Sequence, residues 1–253
     1  MSKRDRECDT MHAMISRSET ACWNVAMETS GSHGSVAVGR GPELRAAQRL
    51  GAPRRHASDL LPTLDALLRS SGGEPNRIEH VFVSIGPGSF TGLRIGVTVA
   101  RTLAFACGAK VFAIPTLTAI AQNALAHKPR PPSVAVILDA RRENVYAARF
   151  VLVGDRYVAE FEPAEVAPRR FLSACDPNCA VLGEGVEAHR AAIEAARRIV
   201  LPNEHHAARA EVVYQLGIEQ TAGAGVDPRT LTPLYIRPPE PEEKLARIMH
   251  RSM

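Results

Sequence analysis

The stretch "VSIGPGSFTGLRIGVTVARTLAFACG", residues 83–108, joins a short apolar run to a long apolar helix through a sharp turn. Glycine and proline at 86–88 are typical of such a turn, because glycine adopts backbone angles that other residues avoid. Ser89 or Thr91 can cap a helix that runs to about Cys107. The first N–H groups of a helix can also hold an anion. The residues placed to contact an anion or nucleotide are Gly86, Gly88, Ser89 and Thr91.

The spacing within this stretch argues against four catalytic interpretations. The glycines follow G-x-G-x-x-x-G rather than the G-x-G-x-x-G of a dinucleotide site, and the lysine of a Walker loop is missing. A nucleophile elbow needs glycine two residues before and after its serine, whereas Pro87 and Thr91 flank Ser89. An acyl-transfer triad is the fourth interpretation, and it is weak because it lacks a convincing base.

The helix carries one face of small residues, at Gly92, Gly96, Ala100 and Ala104. This four-residue spacing forms a smooth surface that another backbone can approach closely. A helix that is apolar nearly all round must be buried, and the pattern leaves two alternatives open. Either both apolar faces pack inside the helix's own lobe, or one of them is a subunit interface.

The rest of the chain alternates strands and helices in two groups of similar order. Strands are predicted at 22–30, 34–41, 43–51, 80–86 and 110–114, with helices at 58–73 (capped by Ser58) and 116–127. After the linker "KPRPP" (128–132), strands are predicted at 133–140, 144–153, 156–163, 180–185 and 198–201, with helices at 167–173, 186–198 and 205–222. This order predicts an α/β protein of two duplicated lobes.

Composition limits the class of protein. The chain has 253 residues and a net charge of +4, and the low aromatic content of 5% argues against stacked-base recognition. A nucleic-acid partner is permitted but not indicated. No apolar run approaches the roughly 18 residues of a membrane span, and residues 1–21 lack the apolar core of a signal peptide. We expect those residues to be a flexible extension, and five cysteines without a secretion signal to indicate a reducing cytosol.

Two segments, "GPGSFTGLRIGVTVARTLAF" and "AIPTLTAIAQNA", closely resemble the signature of the bacterial TsaB (YeaZ) family. The segments "METSGSHGSVAV", "ILDARRENVYAARF" and "PLYIRPP" follow in the family's order, so the resemblance covers about residues 22–238. It implies an actin-like (ASKHA) fold of two RNase-H-like lobes. The first lobe would span 22–128 and the second 129–238, with the last helix packing back on the first lobe and a tail at 239–253.

The resemblance also implies a role in making N6-threonylcarbamoyladenosine at position 37 of ANN-reading tRNAs. The chain would be a cytoplasmic, non-catalytic subunit that binds a TsaD-like protein, with a TsaE-like ATPase completing the assembly and tRNA engaged indirectly. The same helices, 58–71 and 89–107, would also permit a homodimer. The predicted partner contacts are Leu60, Leu64, Leu67, Phe90, Gly92, Leu93, Arg94, Gly96, Val97 and Ala100. On this basis Gly96→Leu should separate the pair and leave the isolated chain folded.

No catalytic residue, metal or cofactor is expected of this chain alone, although ATP or ADP could lie at the partner interface. Actin-like ATPases usually hold phosphates with an aspartate and a glycine in each of two loops. The first loop here has Glu28, and the second, 139–142, lacks the glycine. The alternatives are an active actin-like ATPase or small-molecule kinase, and a glycoprotease-like hydrolase.

Two further motifs are weak candidates for a metal site. His205 and His206 are adjacent on the predicted helix, point about 100° apart, and are interpreted as its solvated start. Cys175 and Cys179 could form half a zinc site, but no second pair completes it, and we interpret them as incidental thiols beside a Pro-Asn turn. Tyr235 and Arg237 resemble the end of the family pattern and receive no role.

Overall fold

The first sheet has its first strand at its centre. The computed structural model describes residues 23–51 and 56–236. The five strands of this sheet lie in the order β3-β2-β1-β4-β5, with β1 antiparallel to β2 and parallel to β4. Their bounds are β1 Trp23–Glu28, β2 Ser35–Arg40, β3 Glu43–Arg49, β4 Ile78–Gly86 and β5 Lys110–Pro115. Helices α1 (His56–Ser70) and α2 (Phe90–Cys107) pack together on one face, as the long apolar strands require.

The second sheet repeats this plan with shorter elements. Its strands lie in the order β10-β6-β7-β8, with β9 paired to β7. The bounds are β6 Ser133–Asp139, β7 Val145–Val153, β8 Arg156–Ala159, β9 Ala164–Val166 and β10 Cys179–Leu182. A single bridge from Val200 to Val181 stands where the first sheet has its fifth strand. Helices α4 (Pro168–Ala174) and α5 (Arg190–Ala195) cover the outer face.

Two helices fill the space between the sheets. Helix α3 (Thr116–Gln122) presents Leu117 and Ile120 to the second sheet and Ala119 to the first. A short 3₁₀ turn, Asn123–Ala126, follows it. Helix α6 (Ala210–Gln220) comes from the end of the chain but packs on the first sheet, with Tyr214 against Phe82. The result is a layered α/β/α/β/α arrangement.

The structure confirms the predicted start of α2 and corrects several other bounds. Ser89 accepts a hydrogen bond from the Gly92 N–H at 3.3 Å, so it is the N-cap, and Gly108 ends the helix in the left-handed conformation. Ser58 is not a cap, because the helix already includes His56. The strand predicted at 156–163 ends at Ala159 as β8, and the separate short strand β9 begins just beyond the predicted range. The helix predicted at 186–198 is reduced to α5.

Among the described helices, α2 is long and apolar enough to cross a membrane by length and composition, with a mean hydropathy of 1.2. Arg94 and Arg101 interrupt its apolar surface. Its inner residues Leu93 and Val97 are buried in the chain's own core.

Candidate functional site

The loop that follows β1 packs on the small-residue face of α2. The Thr29 hydroxyl donates a hydrogen bond to the Gly92 carbonyl at 2.8 Å. A Cβ atom on Gly92 would lie 2.0 Å from the Thr29 carbonyl oxygen, and one on Gly96 would lie 2.4 Å from the Thr29 Oγ1. Only glycine therefore allows this backbone to cross the helix so closely.

This packing corrects the prediction of partner contacts. Seven of the ten predicted residues are buried inside the chain, where the strands of the first sheet already occupy the space around them. They are Leu60, Leu64, Gly92, Leu93, Gly96, Val97 and Ala100. In this conformation none of the seven can contact a partner. The small-residue face therefore packs inside the helix's own lobe and is not a subunit interface.

The three other predicted contacts reach the surface. Phe90 and Arg94 are exposed on α2, and Leu67 is half-buried beside it on α1. The Arg94 guanidinium lies 4.9 Å from the centre of the Phe90 ring, and the centre of the Tyr235 ring lies 5.4 Å from the same point. Phe105, 65% exposed, lies further along the same helix. We call Phe90 and its two neighbours, Arg94 and Tyr235, the aromatic patch.

Two of the four predicted anion contacts in the turn before α2 already donate their N–H groups to other parts of the protein. The Ser89 N–H donates to the Ser30 carbonyl at 2.7 Å, and the Gly86 N–H donates to the Thr116 hydroxyl at 3.1 Å. A Cβ on Gly88 would lie 2.5 Å from the Ser30 carbonyl oxygen, so the first loop covers the turn. Thr91 is exposed in the first turn of the helix. An anion would have to displace these protein contacts.

The first loop holds a buried carboxyl group at Glu28. Its Oε1 accepts hydrogen bonds from the Ser30 N–H and hydroxyl, each at 2.5 Å, whereas its Oε2 is buried without a partner. The Ser84 hydroxyl, also buried, makes no hydrogen bond either. Burial raises the pKa of Glu28, and the hydrogen bonds from Ser30 only partly offset that rise. The side chain is thus held towards its neutral acid form.

Replacing Glu28 with glutamine should stabilise the chain most at alkaline pH. A raised folded-state pKa means that the wild type is most stable below the ordinary value of 4.5 and loses stability as pH rises towards the folded-state value. Glutamine keeps the acceptor for Ser30 and removes the ionisation. We expect a gain of about 1 kcal/mol at pH 8, and less at pH 5, in urea denaturation. The exposed Glu162→Gln should show no such trend, and equal curves for Glu28→Gln and wild type would contradict the assignment.

The second loop has a strained backbone instead of the missing glycine. Arg141, Arg142 and Glu143 all adopt left-handed angles, with φ of 62°, 50° and 65°. Each such residue costs about 1 kcal/mol or more relative to glycine. Asp139 is tied to the loop by the Arg141 N–H at 3.1 Å and to His189 Nε2 at 3.3 Å. The Asp139 carboxylate and the side chains of Arg141 and Arg142 are exposed around the tip of this loop. No glycine at the tip leaves the backbone N–H groups accessible to a ligand.

A contact between the lobes that the sequence did not reveal forms at Glu184. Its Oε1 accepts a hydrogen bond from the Ser32 hydroxyl at 2.8 Å, and its Oε2 would lie 2.6 Å from a Cβ on Gly31. A cavity of about 1060 Å³ adjoins this contact, lined by side chains of both charges that include Arg49 and Arg190 as well as Glu184. The only sequence signal was a lone glutamate between two glycines after a short strand.

The histidine prediction needs a correction. His205 and His206 are buried rather than solvated, and they lie in a 3₁₀ turn before α6. The His206 Nε2 pairs with the Leu201 carbonyl at 2.8 Å, and the His205 ring packs edge-on against His127. Within residues 23–51 and 56–236, no three histidine, cysteine or acidic side chains come together in a group that could hold a metal ion.

Two sheets of the same strand order, separated by helices and joined at a loop-lined cleft, define a two-lobe actin-like protein. A family model described as "TsaD: tRNA N6-adenosine threonylcarbamoyltransferase" matches residues 50–211. The chain belongs to that family and, within it, to the TsaB (YeaZ) proteins.

Individual relatives agree with this placement. The tRNA threonylcarbamoyladenosine biosynthesis protein TsaB of Haemophilus influenzae is 36% identical over 127 residues, which are 50% of this chain and 53% of that protein. The TsaB of Bacillus subtilis is 28% identical over 202 residues, 76% of this chain and 83% of that protein. The chain thus matches about half the length of the first and most of the second. YeaZ from Pseudomonas aeruginosa superposes with a TM-score of 0.74 at 27% identity, covering 85% of this chain and 99% of that one.

Proposed function

We propose that this chain is a non-catalytic subunit for tRNA modification. It binds a TsaD-like protein and supports transfer of a threonylcarbamoyl group to N6 of adenosine 37 in ANN-reading tRNAs. The names of its relatives, tRNA threonylcarbamoyladenosine biosynthesis proteins, support the pathway. A TsaE-like ATPase, a cytoplasmic location and indirect contact with tRNA belong to the same proposal.

The observation that carries the binding role is the aromatic patch on α2. Phe90 is 41% exposed and Phe105 is 65% exposed, although large aromatic side chains usually lie inside. Arg94 lies over the Phe90 ring, and aromatic residues with arginine are the types enriched at the centres of protein interfaces. Exposed aromatic side chains near both ends of α2, with Tyr235 beside the first of them, fit a partner that covers this helix from outside.

The two loops support the non-catalytic part of the proposal. A phosphate-bound metal needs an ionised carboxylate, and the buried Glu28 is held towards its neutral form. The tip of the second loop carries Arg141 in place of a glycine that would let phosphate oxygens reach backbone N–H groups. We therefore propose that any ATP or ADP would bind at the junction with the partner rather than to this chain alone.

Reconstitution tests the proposal. A TsaD-like protein, its tRNA and threonylcarbamoyl-AMP are combined with and without this chain, with a TsaE-like ATPase present, and N6-threonylcarbamoyladenosine is measured. We expect modification to depend on the chain, and the chain alone to turn over no ATP. If the chain neither binds the TsaD-like protein nor changes the rate, the proposal fails. ATP turnover by the chain alone that Glu28→Ala abolishes would replace it with the ATPase alternative.

A further inference from the structure

The outward side of α2 carries aromatic and basic residues in one straight line. At about 100° per residue, four of them fall within a sector of about 60° around the helix axis. We call these four, Phe90, Arg94, Arg101 and Phe105, the outer stripe. The two phenylalanines are 41% and 65% exposed and stand about 22 Å apart along the axis, at 1.5 Å per residue. Among the described residues, no carboxylate forms an ion pair with either arginine. The outer stripe is thus an open surface with apolar ends and a basic middle.

The last described residues lie beside the start of this stripe. The Leu234 N–H donates to the Ile85 carbonyl at 2.7 Å, near the end of β4. The Tyr235 ring packs on Phe90, as described for the aromatic patch. Two neighbouring contacts therefore hold the chain against the beginning of α2. Residues 237–253, which we call the C-terminal segment, lie outside the described residues and continue from this point.

The sequence of the C-terminal segment, "RPPEPEEKLARIMHRSM", predicts a stiff spacer followed by a short amphipathic helix. Three prolines within 238–241 favour an extended polyproline spacer. Pro241 and the two glutamates after it suit the first turn of a helix, and the basic residues near the end suit its last turns. The apolar positions, at the i, i+3 and i+4 spacing of one helix face, are Leu245, Ile248 and Met249. A helix of about twelve residues is marginal alone in water, so it needs a surface on which to pack that face.

Length and charge match the C-terminal segment to the outer stripe. The five residues 237–241, at about 3.1 Å each, extend over roughly 16 Å. Arg101 lies at about the same distance from Phe90 along α2, at 1.5 Å per residue. The acidic pair Glu242 and Glu243 would thus arrive at Arg101, and Leu245, about one turn further on, at Phe105. Opposite charges and apolar side chains follow in the same order on the two segments.

We propose that residues 242–253 form a helix that packs along the outer stripe of the same molecule when no partner is bound. The apolar face of this helix covers Phe105, and its acidic first turn pairs with Arg101. A second part of the inference rests on the proposed function: the TsaD-like protein has to displace the C-terminal segment from α2. The covered fraction then weakens the apparent affinity for the partner, because only the uncovered form binds.

Photo-crosslinking in the full chain tests the contact without any partner. Phe105 is replaced with the photoreactive benzoylphenylalanine, and the irradiated protein is digested and analysed by mass spectrometry. We expect crosslinks from position 105 to residues 242–253. The same probe at Phe161, which is 73% exposed in the second lobe, should give none. No crosslink from position 105, or equal yields from the two positions, would overturn the proposal.

Isotope mixing separates this contact from a contact between two copies. In an equal mixture of ¹⁵N-labelled and unlabelled chains, a crosslink within one molecule joins two peptides that are both labelled or both unlabelled. We expect only such pairs. Pairs with one labelled and one unlabelled peptide would show that a second copy occupies the outer stripe, and the proposal would then be wrong.

A pair of matched variants tests the apolar face of the predicted helix. Ile248→Glu places a charge on that face, whereas Arg247→Gln changes the opposite face, and each lowers the net charge by one. We expect Ile248→Glu to reduce the crosslink yield at least about tenfold and Arg247→Gln to leave it unchanged. Equal yields from the two variants would show that the helix face does not make the contact.

Calorimetry with the TsaD-like protein tests the competition. Ile248→Glu should tighten binding by roughly three- to tenfold, because the partner no longer displaces a packed helix, and Arg247→Gln should leave Kd unchanged. A crosslink that forms in the wild type, together with equal Kd values for Ile248→Glu and wild type, would refute the competition. If the partner binds neither protein, the proposed function fails, and the crosslink alone decides whether the C-terminal segment covers α2.

Discussion

Alanine at Gly92 is expected to cost the chain more than about 3 kcal/mol of its free energy of unfolding. The added Cβ would lie 2.0 Å from the carbonyl oxygen of Thr29, a backbone atom that cannot turn aside as a side chain can. In an unobstructed helix the same change would stabilise by about 1 kcal/mol, so the clash has to exceed that gain as well. Thermal denaturation should show a fall in Tm of roughly 10 °C.

The matched control is Thr98→Ala, on the exposed side of the same helix, which should change the stability by less than about 0.5 kcal/mol. Gly96→Leu should also unfold the isolated chain, because Thr29 Oγ1 lies 2.4 Å from the position of its Cβ. This reverses the sequence-based expectation that the variant would only separate two subunits. A folded, stable Gly92→Ala protein would show that the loop of Thr29 does not depend on the small-residue face.

Glutamate at Phe90 is expected to weaken binding of a TsaD-like protein by at least about 30-fold. A central aromatic anchor of an interface carries about 2 kcal/mol or more, and 1.4 kcal/mol corresponds to tenfold in Kd. The change also removes the ring on which Arg94 and Tyr235 pack. Because Phe90 is the first residue of α2, an acidic side chain there suits the helix dipole and should leave the fold intact. Isothermal titration calorimetry with the purified partner measures the change.

Two controls make this result specific. Phe161→Glu alters an aromatic side chain that is 73% exposed in the second lobe, and it should leave Kd unchanged. Arg94→Glu should weaken binding in the same direction as Phe90→Glu. If Phe161→Glu weakens binding and Phe90→Glu does not, the partner binds the other lobe and the assignment of the aromatic patch is wrong.

The fold followed largely from local patterns in the chain. Alternating apolar residues and turn signals predicted the order of strands and helices, and the Gly-Pro-Gly turn with Ser89 predicted the start of α2. The second lobe was harder to predict because its elements are short. The predicted helix at 186–198, for instance, is reduced to Arg190–Ala195. Periodicity alone does not fix such ends, because a few tertiary contacts decide them.

The site depended on contacts that a local pattern does not contain. Periodicity showed that the glycine face of α2 must be buried, but not that Thr29, more than sixty residues earlier, would cover it. The hydrogen bond between Ser32 and Glu184 joins residues that are 152 positions apart, and no local pattern in either segment predicts it. Phe90 was among the predicted partner contacts, but no local pattern separated it from the seven that are buried, since buried and exposed apolar residues look the same in a sequence.

Because α6 comes late in the chain, the first lobe is completed late in synthesis. This helix contributes Tyr214 and Val213 to the face of the first sheet that carries Phe82 and Phe112, although it is the last helix described in the chain. A ribosome delivers the first sheet roughly a hundred residues before it delivers α6. During that interval α6 does not yet cover one face of the sheet. Nascent chains with exposed apolar sheets are the species that chaperones bind. The first lobe therefore cannot mature alone, and its completion waits for almost the whole chain.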